Sequence, residues 1–130
     1  MVRVLPREHV RVVVRGLPYF YWGGVFYRTG PAGYVVVGAP VGAIVGVLPV
    51  GFVSLRIGPA AYFYYGGVFY QPYQREYEVV APPLGAEVPY VPEGATVADI
   101  NGVLYYFSDG IYYRPEIRPD GSVTYIISQP

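Results

Sequence analysis

The 130-residue chain has no cysteine, no lysine and a single histidine, His9. Without thiols there is no disulfide framework, thiolate nucleophile, zinc finger or iron–sulfur ligation. One imidazole cannot build a His-based metal cluster, so neither a metal nor a cofactor is expected. Charge is scarce as well: 14% of residues, with nine Arg balanced by nine acids. A net charge of zero removes the basic footprint that general binding to nucleic acid requires, so no nucleic-acid partner is expected. In place of these groups stand 17 Gly, 14 Pro and 16 Tyr. Proline at that density breaks helices of any length.

The unusual composition has a period. Leu5-Pro6, Leu48-Pro49 and Val91-Pro92 are 43 residues apart. The same step relates residues 19–27, Tyr-Phe-Tyr-Trp-Gly-Gly-Val-Phe-Tyr, to residues 62–70, Tyr-Phe-Tyr-Tyr-Gly-Gly-Val-Phe-Tyr, and then to residues 105–113, Tyr-Tyr-Phe-Ser-Asp-Gly-Ile-Tyr-Tyr. Residues 5–47 and 48–90 share 18 identities in 43 positions, which composition alone does not produce. The third copy, 91–130, has drifted and carries a four-residue insertion if Thr124 to Pro130 answers to Tyr34 to Pro40.

Within each copy the period is two. Val10, Val12 and Val14 alternate with His9, Arg11, Val13 and Arg15, which gives a strand with one apolar face and β-branched residues suited to the pleat. An aromatic strand (Tyr19 to Trp22), a Gly23-Gly24 turn and a second aromatic strand (Val25 to Arg28) follow, then a short strand from Tyr34 to Val37. Gly23-Gly24, Gly66-Gly67 and Asp109-Gly110 supply the positive φ values that two-residue hairpin turns need. The fold class is therefore all-β, one domain over residues 1–130. A trailing segment follows the fourth strand in copies one and two, Val41 to Val47 and Leu84 to Tyr90, but not in copy three. Residues 1–4 stand before Leu5-Pro6 as Ile44 to Val47 stand before Leu48-Pro49. The expectation is that residues 1–4 complete the third repeat and close a pseudo-three-fold, β-trefoil-like structure. The alternatives are the same exchange between chains and three small SH3-like sheets in a row.

Residues 29–55 carry no charge and invite a transmembrane reading. The repeat refutes it, because the positions of Val35 and Ile44 hold Glu78 and Glu87 in the second copy, and Pro31, Pro40 and Pro49 interrupt the run. No signal peptide is expected in residues 1–20, where Arg3, Arg7, Arg11 and Arg15 break any apolar core.

Leu48-Pro49-Val50-Gly51, Tyr62 to Tyr70 with Pro72, and Tyr77 to Ala86 together resemble an uncharacterised family of bacterial envelope or secreted proteins. Its repeats run roughly Leu-Pro-x-Gly, a Val-rich strand, Gly-x-x-Tyr-Tyr-Tyr-x-x-Gly-Val-Tyr-Tyr-x-Pro, then Gly-Tyr-x-Val-Val-x-Pro-Pro-x-Gly-Ala. The resemblance implies a periplasmic or cell-surface location, no assigned activity and no catalytic residue.

The aromatic hairpins are the candidate binding residues: Tyr19, Tyr21, Trp22 and Tyr27; Tyr62, Tyr64, Tyr65 and Tyr70; Tyr105, Tyr106, Tyr112 and Tyr113. Successive rings on a strand point to opposite faces, so both faces of each hairpin are aromatic. They either fill the core and the seams between repeats, stack sugar rings, or meet a second copy of the chain. The charge distribution suits head-to-tail stacking of copies but also fits exposed strand faces segregating by drift: residues 1–65 hold six Arg and one Glu, residues 66–130 three Arg and eight acids, net +5 and −5. His9 reads as a solvated edge residue. Asp99, Asp109 and Asp120 occur only in the third copy, Asp109 and Asp120 each precede a glycine and read as turn residues, and Glu76 and Glu78, two apart on a strand, lack any further sign of a glycosidase pair. No serine sits in a nucleophile elbow and Gly23-Gly24 opens no helix. The expectation is a non-catalytic envelope or extracellular structural protein that self-associates through aromatic strands into a ring or filament. A module binding cell-wall glycan or peptidoglycan is the alternative.

Overall fold

Alternating valines, primed turns and aromatic pairs dictate antiparallel ribbons, and the computed structural model, which describes residues 2–130, contains strands and turns with no helix among them. The first repeat forms β1 (Val10–Val14), β2 (Leu17–Trp22), β3 (Val25–Gly30) and β4 (Gly33–Val37), a sheet in the order β1-β2-β3-β4. Its trailing segment supplies the two-residue β5 (Ile44–Val45). The second repeat adds β6 (Val53–Ile57), β7 (Ala60–Tyr65), β8 (Val68–Tyr73) and β9 (Glu76–Val80), and its sheet runs β5-β9-β8-β7-β6. The last elements are β10 (Glu87–Val88), β11 (Thr96–Ile100), β12 (Val103–Ser108), β13 (Ile111–Ile117) and β14 (Val123–Ser128), in the order β10-β14-β13-β12-β11. The sheets share one register: Val10 opposes Tyr21, Val53 opposes Tyr64 and Thr96 opposes Phe107.

Each sheet thus takes its outermost short strand from the segment before it. Val45 pairs with Tyr77 and Val88 with Tyr125. One period earlier, Val2 bridges Tyr34 in the first sheet, with hydrogen bonds in both directions. This corrects the expectation for residues 1–4. They are the counterparts of Ile44 to Val47, and they do what that segment does: they complete the sheet that follows them, the first, and not the third. Met1 itself lies outside the described residues. The third sheet's place is already filled by β10, so the pairing of chain ends on which a closed ring rested does not form. Among the described residues no sheet closes into a barrel, and the strands make three antiparallel sheets of four, five and five strands.

Two smaller corrections follow from register. Leu17 and Pro18 already belong to β2, because Arg15 and Gly16, both at positive φ (49° and 79°), make the tight turn themselves. In the third sheet Tyr112 opposes Ser128, where Phe69 opposes Val80 in the second. Tyr125, and not Thr124, is therefore the counterpart of Tyr34, and the insertion is five residues. It is absorbed by a longer β13 and a turn in which Asp120 accepts hydrogen bonds from the Ser122 amide (2.9 Å) and hydroxyl (2.6 Å).

Paired residues share a face. On the first sheet the front face carries Val12, Val14, Tyr19, Tyr21, Phe26 and Val37; the back carries Phe20, Trp22, Val25, Tyr27, Tyr34 and Val36. The first core joins the front of the first sheet to the back of the second, through Phe63, Tyr65, Val68, Tyr70, Tyr77 and Val79, with Ala43, Val45 and Leu48 of the connection filling between. The second core repeats this one sheet on: Tyr64, Phe69 and Val80 against Tyr113, Ile127 and Tyr125, with Ala86 and Val88 between. Each large side chain so buried contributes about 1.5–3 kcal/mol, and that burial, not a shared sheet, holds the layers together.

Candidate functional site

The twelve candidate rings divide by face and by sheet. Tyr19, Tyr21, Tyr64, Tyr70, Tyr105 and Tyr113 are buried, Tyr27, Tyr62, Tyr65, Tyr106 and Tyr112 half-buried, and Trp22 exposed. Most are packing residues, and ring-on-ring geometry explains why the same letters recur. On the front faces Tyr21–Phe26, Tyr64–Phe69 and Phe107–Tyr112 sit with centroids 4.7, 4.9 and 4.7 Å apart, each tilted by 50°. On the back faces Phe20–Tyr34, Phe63–Tyr77 and Tyr106–Tyr125 meet edge to face at 5.7, 5.6 and 5.8 Å. Such pairs add about 0.5–1.5 kcal/mol to simple burial. His9 is one of these rings and not a solvated edge: it meets Phe20 edge to face with centroids 5.6 Å apart, as Phe52 meets Phe63, and its Nδ1 donates to the Pro6 carbonyl at 2.7 Å.

The hydroxyls mark the seams. Tyr21 donates to the Val47 carbonyl (3.3 Å) and Tyr64 to the Tyr90 carbonyl (3.1 Å), each tying a front face to the following connection. The third counterpart, Phe107, has no hydroxyl to give. Across each seam the hydroxyl of Tyr70 faces that of Tyr21, and Tyr113 that of Tyr64. Neither Tyr70 nor Tyr113 closes a hydrogen bond of good geometry. Burial pushes the titration of Tyr21, Tyr64, Tyr70 and Tyr113 upward, because a phenolate there would lose its hydration.

The hairpin turns form the rest of each seam. All three have positive φ at both central residues: 58° and 90° at Gly23-Gly24, 56° and 89° at Gly66-Gly67, 52° and 78° at Asp109-Gly110. Their surroundings differ. A Cβ on Gly24 would stand 2.8 Å from the Tyr65 ring and 3.1 Å from Pro49; on Gly67, 2.8 Å from Pro92 and 3.3 Å from the Tyr113 hydroxyl. On Gly110 it would meet nothing within 4 Å. The Leu-Pro and Val-Pro steps of the sequence are thus the plugs that seat on the preceding hairpin.

Two faces of the stack have no layer on them. On the back of the first sheet Val36 is 58% exposed, whereas its counterparts Val79 and Ile127 are 2% and 3% exposed. Trp22 and Tyr27 share that face. On the front of the third sheet Phe107 and Tyr112 are half-buried, where Tyr21, Phe26, Tyr64 and Phe69 are buried. Val36 was not singled out in the sequence because Val35, Val36 and Val37 run without alternation. Its counterparts Val79 and Ile127 betray the face only once register is known.

Polar groups gather in one partly exposed network on the third sheet, where Arg118 pairs with Glu87 (3.2 Å) and Glu116 (3.7 Å), Arg114 pairs with Glu116 (3.7 Å) and the Thr124 hydroxyl donates to Glu87 (2.6 Å). Asp99 accepts from the Gly102 amide at 3.0 Å, a turn role like that of Asp120. Glu76 and Glu78 share the front of β9, opposite Tyr73 and Gln71. Among the described residues no three His, Asp or Glu gather as a metal-holding group, and no helix is long and apolar enough to cross a membrane. An open groove of about 400 Å³ runs between Gly38 to Val41 and the Asp109 hairpin, with Asp109 its one charged lining residue. A second, about 380 Å³, lies against Gly110, Tyr112 and Ile127 and is lined by no charged side chain.

Neither the comparison with curated proteins nor that with solved structures finds a match. A family model spans nearly every residue just described, from the N-terminal bridge to the last strand: it covers residues 1–129, and the chain belongs to that family of unknown function, DUF6515.

Proposed function

We propose that the protein is a non-catalytic structural component that self-associates through the aromatic faces of its sheets, at the cell surface or in the periplasm. The observation that carries the reading is Val36: a position buried wherever a layer covers it, and 58% exposed on the back of the first sheet. Repeat proteins that remain single carry polar residues on their outer layers. Here the outer faces keep Trp22, Val36 and Phe107. The location rests on the resemblance of the Tyr-rich repeats to envelope proteins. Light scattering across a hundred-fold range of concentration tests the association: particle mass rises with concentration, and a strict monomer throughout overturns it.

A glycan-binding role is the second reading, favoured by the exposure of Trp22 and Tyr73, the indole and phenol ring most open to a sugar. Titration with peptidoglycan fragments then quenches or shifts Trp22 emission. Unmoved emission counts against it.

A further inference from the structure

We infer that the partner is a second copy of this chain, docked head to tail: the back of its first sheet lies on the front of the third sheet, remaking the seam already used twice inside the molecule. The inference rests on the self-association reading and assigns its interface. Inside the chain, one front face binds one back face through two recurring elements, a proline on the hairpin glycine and an apolar β-branched residue against the front sheet; the ring nearest the hairpin glycine is Tyr65 at the first seam and Tyr113 at the second, where Ser108 stands in the place of Tyr65. The third sheet presents the receiving half of this arrangement with nothing in it. Gly110 has no atom within 4 Å of its Cβ position, whereas Gly24 and Gly67 are covered. The first sheet presents the entering half: Pro6 for Pro49 and Pro92, Trp22 for Tyr65, and Val36 for Val79 and Ile127.

The grooves show the same displacement. The groove beside Gly38 to Val41 has the hairpin Asp109 to Ile111 as one wall and the second sheet as another. Shifted by one sheet, its walls become Pro82, Leu84, Gly110, Tyr112, Ile127 and Ser128, which line the second groove, and no hairpin stands there. The counterpart that belongs in that place is Gly23-Gly24-Val25 of another molecule.

Charge agrees with this pairing. Residues 5–47 carry four Arg and one Glu, residues 91–130 two Arg and five acids. Locally, Asp109 replaces Gly23 and Gly66 only at the uncovered turn. The residue after the seating proline is Arg7 at the uncovered end and Val50 or Glu93 at the internal seams. Docking Pro6 on Gly110 brings Arg7 to the rim beside Asp109, a contact that steers encounter and fixes orientation. A heterologous contact of this kind repeats from molecule to molecule.

Two variants separate the halves. Val36→Arg places a charge on an exposed site of the entering face. Gly110→Asn fills the empty seat with a residue that tolerates positive φ. Circular dichroism confirms that each remains folded. In sedimentation velocity the wild type grows with concentration, each variant alone stays monomeric, and their equimolar mixture forms a species of twice the monomer mass and stops there, since one open seat remains for one open face. Variants that assemble like the wild type, or blocked variants whose mixture stays monomeric, overturn the head-to-tail seam while leaving self-association by another surface, such as an edge strand. A wild type that is monomeric at every concentration overturns both.

Discussion

Replacing Gly67 by alanine and, separately, Gly110 by alanine separates the cost of a turn from the cost of a seam. Both residues hold the same hairpin position, at φ 89° and 78°. Alanine in that region costs about 1–2 kcal/mol, offset by about 0.4–1 kcal/mol from the stiffer unfolded chain. Gly110→Ala, with free space around the new methyl, is expected to lose about 1 kcal/mol. At Gly67 the methyl would also stand 2.8 Å from Pro92 Cγ and 3.3 Å from the hydroxyl of Tyr113, a fully buried ring. Neither a proline ring nor a buried tyrosine can swing away, so overpacking adds about 1–3 kcal/mol. With a urea slope of about 1–3 kcal/mol/M, the Gly67→Ala midpoint falls roughly 1 M below that of Gly110→Ala, at protein concentrations low enough to keep the chain monomeric. Coincident midpoints would refute the claim that Pro92 is seated on this hairpin.

Two further outcomes follow from the buried hydroxyls. Tyr64→Phe removes a donor to the Tyr90 carbonyl and is expected to cost about 0.5–1.5 kcal/mol. Tyr113→Phe removes a buried hydroxyl without a good partner, so thermal unfolding should show it neutral or stabilised; the reverse order would contradict the seam geometry. Alkali tests the same groups. Burial raises the titration of Tyr21, Tyr64, Tyr70 and Tyr113 above the usual value near 10, so the folded state holds protons that the unfolded chain gives up. Stability is therefore full below about pH 10 and falls as pH rises beyond it. Tyrosinate absorbance should show these four appearing only with unfolding, whereas their titration with the fold intact would count against their burial.

The sequence shows much of this in physical terms. Hairpin register is local, set by the Gly-Gly and Asp-Gly turns, and the period of 43 carries it to all three sheets. The equivalence of residues 1–4 to Ile44 to Val47 is legible as well. Its consequence is not, because a two-residue strand such as β5 has too little pattern to say which neighbour it joins; only Val2 against Tyr34, beside Val45 against Tyr77, reveals that it pairs forward. The faces are harder. With Tyr19, Phe20, Tyr21 and Trp22 all aromatic, alternation gives no polar side, and burial depends on whether another sheet arrives. Tyr70 and Tyr27 both follow a Gly-Gly-Val-Phe run; one is buried and the other half-buried.

Trp22 makes stacking through the back of the first sheet directly observable. It is the chain's one tryptophan, it is 45% exposed, and it lies on the back face that a second molecule would cover. If copies stack through that face, Trp22 emission shifts to the blue as concentration rises, in step with particle mass. Emission that stays fixed while the particles grow would show that copies associate without covering this face.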